Sequence, residues 1–184
     1  PNTDYKKSYS ADNNTGGVIL DVIHEIDLAL FWLGPAFLSA AQLHPALPIG
    51  LTTDGQANLL LTHENGTVSS LFLSFMQKKY ERGGTVTGDQ ASAAWDWSES
   101  KATLFDASGA VMDEISWDKD TATNEMYLDQ FDDLLEGIKA HGRQANTSSL
   151  EAAIDALKVA IGAKNFGERP LMGLEDSTFM RRPL

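Results

Sequence analysis

GGVILDVIHEIDLALFWLG, residues 16–34, decides how this chain is read. It opens on a glycine pair, runs through 18–33 without Pro or Gly, and meets Gly34-Pro35, the punctuation that ends helices. At ~100° per residue, Val22, Ile23, Ile26, Ala29, Leu30 and Leu33 fall in one broad sector. That spacing predicts a helix over 18–33 with a core-facing stripe. Asp21, His24 and Glu25 gather on the opposite side, with Leu28 and Trp32 one turn on and Asp27 at the flank.

On either side of this helix the pattern changes. Residues 1–16 are polar and read as an extended lead-in. From 36 to 117 the apolar runs become short and β-rich. Candidate strands are 37–46, 57–63, 67–76, 84–88, 92–97, 101–106 and 110–117. Asn65-Gly66 between two such runs is a strong hairpin signal, and Asp54-Gly55 and Ser108-Gly109 read as further turns. In the long strand, Leu71, Leu73 and Phe75 face one way and Phe72, Ser74 and Met76 the other. Both faces are apolar, so a covering partner is expected on the second one. Helices are predicted over 124–140, with a stripe of Tyr127, Phe131, Leu134, Leu135 and Ile138, and over 149–166, with Leu150, Ile154, Leu157 and Ile161. Ser148 and Glu151 have capping-box spacing. Arg169-Pro170 is expected to end the last helix, before a short strand at 171–174. The order helix, strands, helices predicts an α+β fold, a largely antiparallel (mixed) open sheet with helices packed on one face.

The chain has 184 residues, with 14 basic and 26 acidic side chains and a formal charge of −12. That length suits a single domain over 1–184. The polyanion argues against nucleic acid or an anionic membrane as partner. No apolar run approaches the ~20 residues of a membrane span. Cysteine is absent, which excludes disulfides and thiolate metal sites. With no signal peptide evident, a cytoplasmic location is expected. The chain starts at Pro1, so further sequence upstream is expected.

No G-x-G-x-x-G, Walker, G-x-S-x-G or H-E-x-x-H motif occurs. Gly16-Gly17 and Gly83-Gly84 are not phosphate loops on their own, so no cofactor-binding residue is assigned to this chain. His24-Glu25-Ile26-Asp27 lacks the i, i+4 imidazole pair of zinc helices, and no metal is expected. His24 with Asp21 is the stronger acid/base candidate, because imidazole titrates near neutrality and a carboxylate one turn away can orient it. The plain alternative is a hydrogen-bonded helix-face histidine without chemistry. Gln77, Tyr80 and Arg82 follow the longest strand, where Arg82 could hold an anion or hydroxyl; a solvated strand end is the simpler reading. The four tryptophans read as core or interface residues.

GGVILDVIHEIDLALFWLG closely resembles the helix that opens the second domain of the Gfo/Idh/MocA oxidoreductases. Residues 66–97, with GTVSSLFLSFMQ, an Arg, a Gly turn and a Trp-Asp pair, resemble that family's strand–turn–strand block. Residues 124–171 resemble its closing helices. The resemblance implies NAD(P)-dependent oxidation of a sugar, polyol or related hydroxy compound, with the cofactor held mainly by a preceding Rossmann domain that also carries a Glu-Lys-Pro lysine. Neither motif lies in this chain, which is therefore expected to be the substrate-binding and oligomerisation domain alone, inactive by itself and binding no cofactor. His24 matches the family's catalytic-site histidine and Asp21 the carboxylate before it. Many members space that pair by four; the three seen here, with His-Glu-Ile-Asp following, resembles one variant. The change rotates Asp21 by ~100° around the helix relative to His24. Gln77 and Arg82 match pocket-edge residues of that variant, and Tyr5 an aromatic of its lead-in. The resemblance also implies a homo-oligomer formed through the open sheet face. Two other readings stay open: a non-catalytic binding or dimerisation module on the same fold, and a redox-neutral transferase or hydrolase variant.

Overall fold

The computed structural model describes residues 7–140 and 149–167. They divide into two compact units, one built from the chain up to Met76 and again from Ser149, the other starting at Gln77. The architecture is α+β with antiparallel strand pairing throughout. The strands fall into two sheets rather than one, in the orders β1-β2-β3 and β4-β5-β6-β7.

In the first unit, α1 (Val18–Asp21) and α2 (Ile23–Leu33) precede β1 (Ala36–Pro45), β2 (Asp54–His63) and β3 (Val68–Ser74), and α4 (Leu150–Gly167) returns to pack on β1 and α2. The predicted helix over 18–33 is therefore two helices. Val22, at φ −113° and ψ 33°, leaves the helical region, and the chain restarts at Ile23. The apolar spacing gave no warning, because Val18, Ile19 and Ile26 still reach one core across the break.

Strand β2 is the spine of that core. Ala57, Leu59 and Leu61 are buried, and the ladder places Leu73 beside Ala57 and Leu71 beside Leu59. A bulge at Ser39 shifts the alternation of β1, so Leu38 faces the core before it and Ala41 and Leu43 after it. The opposite face carries Phe37, Leu60 and Phe72, which are 62 %, 40 % and 53 % exposed. Asn65-Gly66 makes the β2–β3 turn as expected, with Gly66 at φ +86° and the Asn65 amide donating to the Leu33 carbonyl at 3.0 Å.

Two further expectations need correction here. Asp54-Gly55 is not a turn but the start of β2. Gly55 is required by a close approach, since a Cβ there would lie 2.3 Å from the Ala46 Cβ. Helix α4 buries Ala156, Val159, Ala160 and Ala163, whereas Leu150, Ile154, Leu157 and Ile161 of the predicted stripe stay exposed. Its small residues let the helix settle closely on β1: even a Cβ added at Gly162 would reach Leu38 at van der Waals distance. Ser149 caps α4, its Oγ accepting from the Ala152 amide at 3.2 Å; Ser148 and residues 168–184, with the expected strand at 171–174, lie outside the described residues.

In the second unit, β4 (Gly83–Thr87), β5 (Ala91–Asp96), β6 (Lys101–Asp106) and β7 (Val111–Ser116) form a meander, followed by α3 (Lys119–Lys139). Ser108-Gly109 makes the β6–β7 turn as expected. The Asp106 carboxylate accepts there from the Ser108 hydroxyl and amide and from the Ala110 amide, which holds it below the usual aspartate range. The predicted stripe of α3 forms on a helix but stays exposed at Tyr127, Phe131, Leu134 and Ile138.

Candidate functional site

His24 sits in the first turn of α2, just past the Val22 break, with its side chain 53 % exposed. Its Nε2 lies 3.2 Å from a Glu25 carboxylate oxygen, which is largely shielded at 18 % exposure. The carboxylate on the imidazole is thus Glu25, its chain neighbour. Nδ1 has no hydrogen-bond partner among the described residues.

Asp21, the last residue of α1, turns elsewhere. Both its oxygens accept from the Ser10 hydroxyl, at 3.1 and 2.9 Å. No hydrogen bond joins Asp21 to His24. The ~100° rotation expected for a spacing of three belongs to an unbroken helix. The Val22 break removes that premise and leaves Asp21 to the lead-in.

That lead-in is not extended over its described part. Ser8 caps a 3-10 turn at Tyr9–Ala11, and Asp12 folds the next residues by accepting from the Asn14 and Thr15 amides. Sequence reasoning passed over Tyr9 and Ser10. The available signal was Gly16-Gly17, a pair that marks close backbone approach. Tyr5 lies outside the described residues.

A carboxylate from β2 fixes the start of α1. Asp54 accepts from the Ile19 amide at 3.0 Å and pairs with Lys164 of α4 at 3.3 Å, while the Lys164 ammonium donates to the Gly16 carbonyl at 2.7 Å. A Cβ at Gly17, where φ is +95°, would fall 2.1 Å from the Asp54 carboxylate. A helix start behind two glycines can hold a phosphate, but here an aspartate already occupies the amide and repels an anion. The start of α1 therefore does not fit a dinucleotide pyrophosphate.

Gln77 and Arg82 belong to the second unit. Gln77 is exposed where β3 has ended. Arg82 is half-buried, its guanidinium 5.8 Å from the Trp95 ring centroid and 5.4 Å from that of Trp97, within cation–π range. It also lines an open groove of about 540 Å³ with polar side chains such as Thr85, Lys101 and Thr103.

His63 is structural. Its ring, 1 % exposed, bridges the Gly34 carbonyl at 2.7 Å and the Ser69 hydroxyl at 2.9 Å. Among the described residues, no three His, Asp or Glu side chains cluster in a way that could hold a metal ion, and no helix is long and apolar enough to cross a membrane.

Known proteins share this fold. An oxidoreductase from Agrobacterium radiobacter, solved in complex with NAD+, L-tartaric acid and magnesium, superposes with a TM-score of 0.72 at 18 % identity, covering 91 % of this chain and 51 % of that one. A UDP-N-acetylglucosamine 3-dehydrogenase from Acidithiobacillus ferrooxidans gives 0.65 at 21 % identity, covering 91 % and 52 %. Biliverdin reductase from Synechocystis sp. PCC 6803, solved with biliverdin and NADP+, gives 0.64 at 15 %, covering 86 % and 49 %. This chain spans about half the length of each. No curated protein sequence matches it. The family of GFO/IDH/MocA C-terminal domains matches residues 1–94, the half that carries the broken helix, the histidine and the first sheet, and the chain belongs to that family.

Proposed function

We propose that this chain is the substrate-binding domain of a cytoplasmic NAD(P)-dependent oxidoreductase acting on a sugar, polyol or related hydroxy compound. The observation that carries the reading is His24: exposed, steadied by Glu25 through Nε2, and with no partner on Nδ1 among the described residues. Family membership supports the reaction class. The nicotinamide, held by a preceding domain, supplies the hydride chemistry. His24 Nδ1 takes the proton of the reacting hydroxyl in the oxidative direction and returns it in the reductive one. Glu25 fixes the ring orientation and balances the imidazolium that forms. In the second unit, Gln77 and Arg82 offer polar groups to a ligand, Arg82 with its guanidinium beside two indole rings. The protein associates as a homo-oligomer through the outer face of β1-β2-β3, where Leu60 and Phe72 stand open.

The deciding experiment is His24→Ala in the full-length protein, assayed with NAD+ and NADP+ against sugars and polyols. Loss of about 10²–10⁴-fold in kcat, with KM changed little, is expected. Activity equal to the wild type would overturn the reading in favour of a non-catalytic module. Tight NAD(P)H binding by residues 1–184 alone would contradict the division of labour. For the interface, Phe72→Asp shifts sedimentation toward a smaller species; a wild type that already sediments as a monomer removes that part of the proposal.

A further inference from the structure

Asn65-Gly66 is the sole Asn-Gly pair in the chain. It stands at the exposed tip of the β2–β3 turn, where a Cβ added to Gly66 would meet no described atom within 4 Å. A glycine without a Cβ lets its backbone nitrogen approach the preceding side chain closely, which makes this dipeptide the one most prone to lose its amide.

Three successive residues tie the turn to the end of α2. The His63 Nδ1–H donates to the Gly34 carbonyl at 2.7 Å, the Glu64 amide to that of Pro35 at 2.9 Å, and the Asn65 side-chain amide to that of Leu33 at 3.0 Å. The Leu33 carbonyl is among those a helix leaves without a partner in its own last turn, so Asn65 closes the helix end. The same region immobilises the atoms that would react. Asn65 Oδ1 accepts from the Thr67 amide at 2.9 Å. The Gly66 N–H, which must lose its proton before its nitrogen can attack, donates to the His63 carbonyl at 2.9 Å.

We propose that Asn65-Gly66 is a deamidation site held shut by this clamp, converting when the turn opens and leaving the clamp unable to re-form. In the open turn, solvent base takes the Gly66 amide proton and the nitrogen attacks Asn65 Cγ. The N–Cγ bond forms, the Cγ–Nδ2 bond breaks, and Nδ2 leaves as ammonia with a proton returned from water. Water then adds to one of the two carbonyls of the succinimide ring and opens it to aspartate or isoaspartate. Either product has lost the donor that Leu33 accepted. Either places a carboxylate beside Glu64 at the negative end of the α2 dipole. The conversion therefore loosens the helix that carries His24 at its other end.

The test incubates the full-length protein and a free peptide of residues 62–68 side by side in mildly alkaline buffer. Digestion and mass spectrometry follow the conversion, and enzymatic methylation counts isoaspartate. Asn65 should convert in the protein about 10- to 100-fold more slowly than in the peptide, the cost of opening a few hydrogen bonds. His63→Phe, which removes one arm of the clamp and keeps the Asn-Gly pair, should speed conversion in the protein about tenfold. Asn65→Asp, at an exposed position, should lower the exchange protection of the Glu64 amide relative to the wild type. The proposal is overturned if the protein keeps pace with the peptide or if Asn65 stays intact beyond that window. It is overturned equally if His63→Phe, folded by circular dichroism, converts at the wild-type rate, or if Asn65→Asp leaves Glu64 as protected as before.

Discussion

The two units use the same strand chemistry to different ends. In the first, α1, α2 and α4 cover one face of a three-stranded sheet, and every fully buried hydrophobic side chain among the described residues lies there. In the second, four strands pair with equal regularity, yet β7 is exposed along its whole length and none of its described neighbours is fully buried. A ladder satisfies backbone groups wherever alternation and turns allow it. A core needs a second layer, and only the first unit has one among the described residues.

This contrast can be broken at several points. The largest effect is expected for Leu61→Ala in β2, which empties a fully buried position and should cost about 2–5 kcal/mol by urea unfolding. Leu104→Ala in β6, where the side chain is 37 % exposed, should cost at most about 1.5 kcal/mol. Equal costs would show that the second unit has a core of its own. Next comes Asp54→Ala, which strands the shielded Lys164 ammonium and frees the Ile19 amide. It should cost about 2–3 kcal/mol, against less than about 1 kcal/mol for Lys101→Ala, whose Glu114 pair is half exposed. His63→Phe removes two hydrogen bonds while keeping the volume, and should cost about 1–2 kcal/mol, read in the same melts.

The smallest effect is one the units should share. Hydrogen bonds from the Ser108 hydroxyl and from the Ala110 and Ser108 amides lower the pKa of Asp106. Those from the Thr15 and Asn14 amides lower that of Asp12. A carboxylate depressed in the folded state stabilises above its ordinary value, and that stability is lost as pH falls through the lowered one. Protection of the Ala110 and Thr15 amides, measured against their intrinsic exchange rates, should therefore fall as the solution is acidified below about pH 4, and Asp106→Asn should remove the dependence at Ala110. A response confined to one unit would mean that the two turns differ in a way their hydrogen bonds do not.

Much of the fold was legible because strands and tight turns announce themselves locally. Among the described residues, seven strands fall near their expected places, and Asn65-Gly66 and Ser108-Gly109 turn where those dipeptides should. What escaped reading was tertiary. Asp54-Gly55 carries the letters of a turn, but its glycine answers to Ala46 and its aspartate to Ile19 and Lys164. In α4 the pattern favours the large side chains, whereas close approach selects the alanines. The site divides likewise. The exposure of His24 could be read from its position opposite the apolar stripe. The partner of Asp21 could not, because Ser10 is eleven residues away and only a folded loop brings it near.

The last helix of the first unit has a consequence for synthesis. Ala156, Val159, Ala160 and Ala163 complete a core whose other members end at Leu73, with the whole second unit threaded between. At about 5–20 residues per second, a ribosome spends roughly 4–15 s making that interval. Through this wait the greasy side of β1-β2-β3 has no α4 to cover it. The nascent polypeptide is most open to chaperone capture then, and a pause in translation before Leu150 would lengthen the exposure.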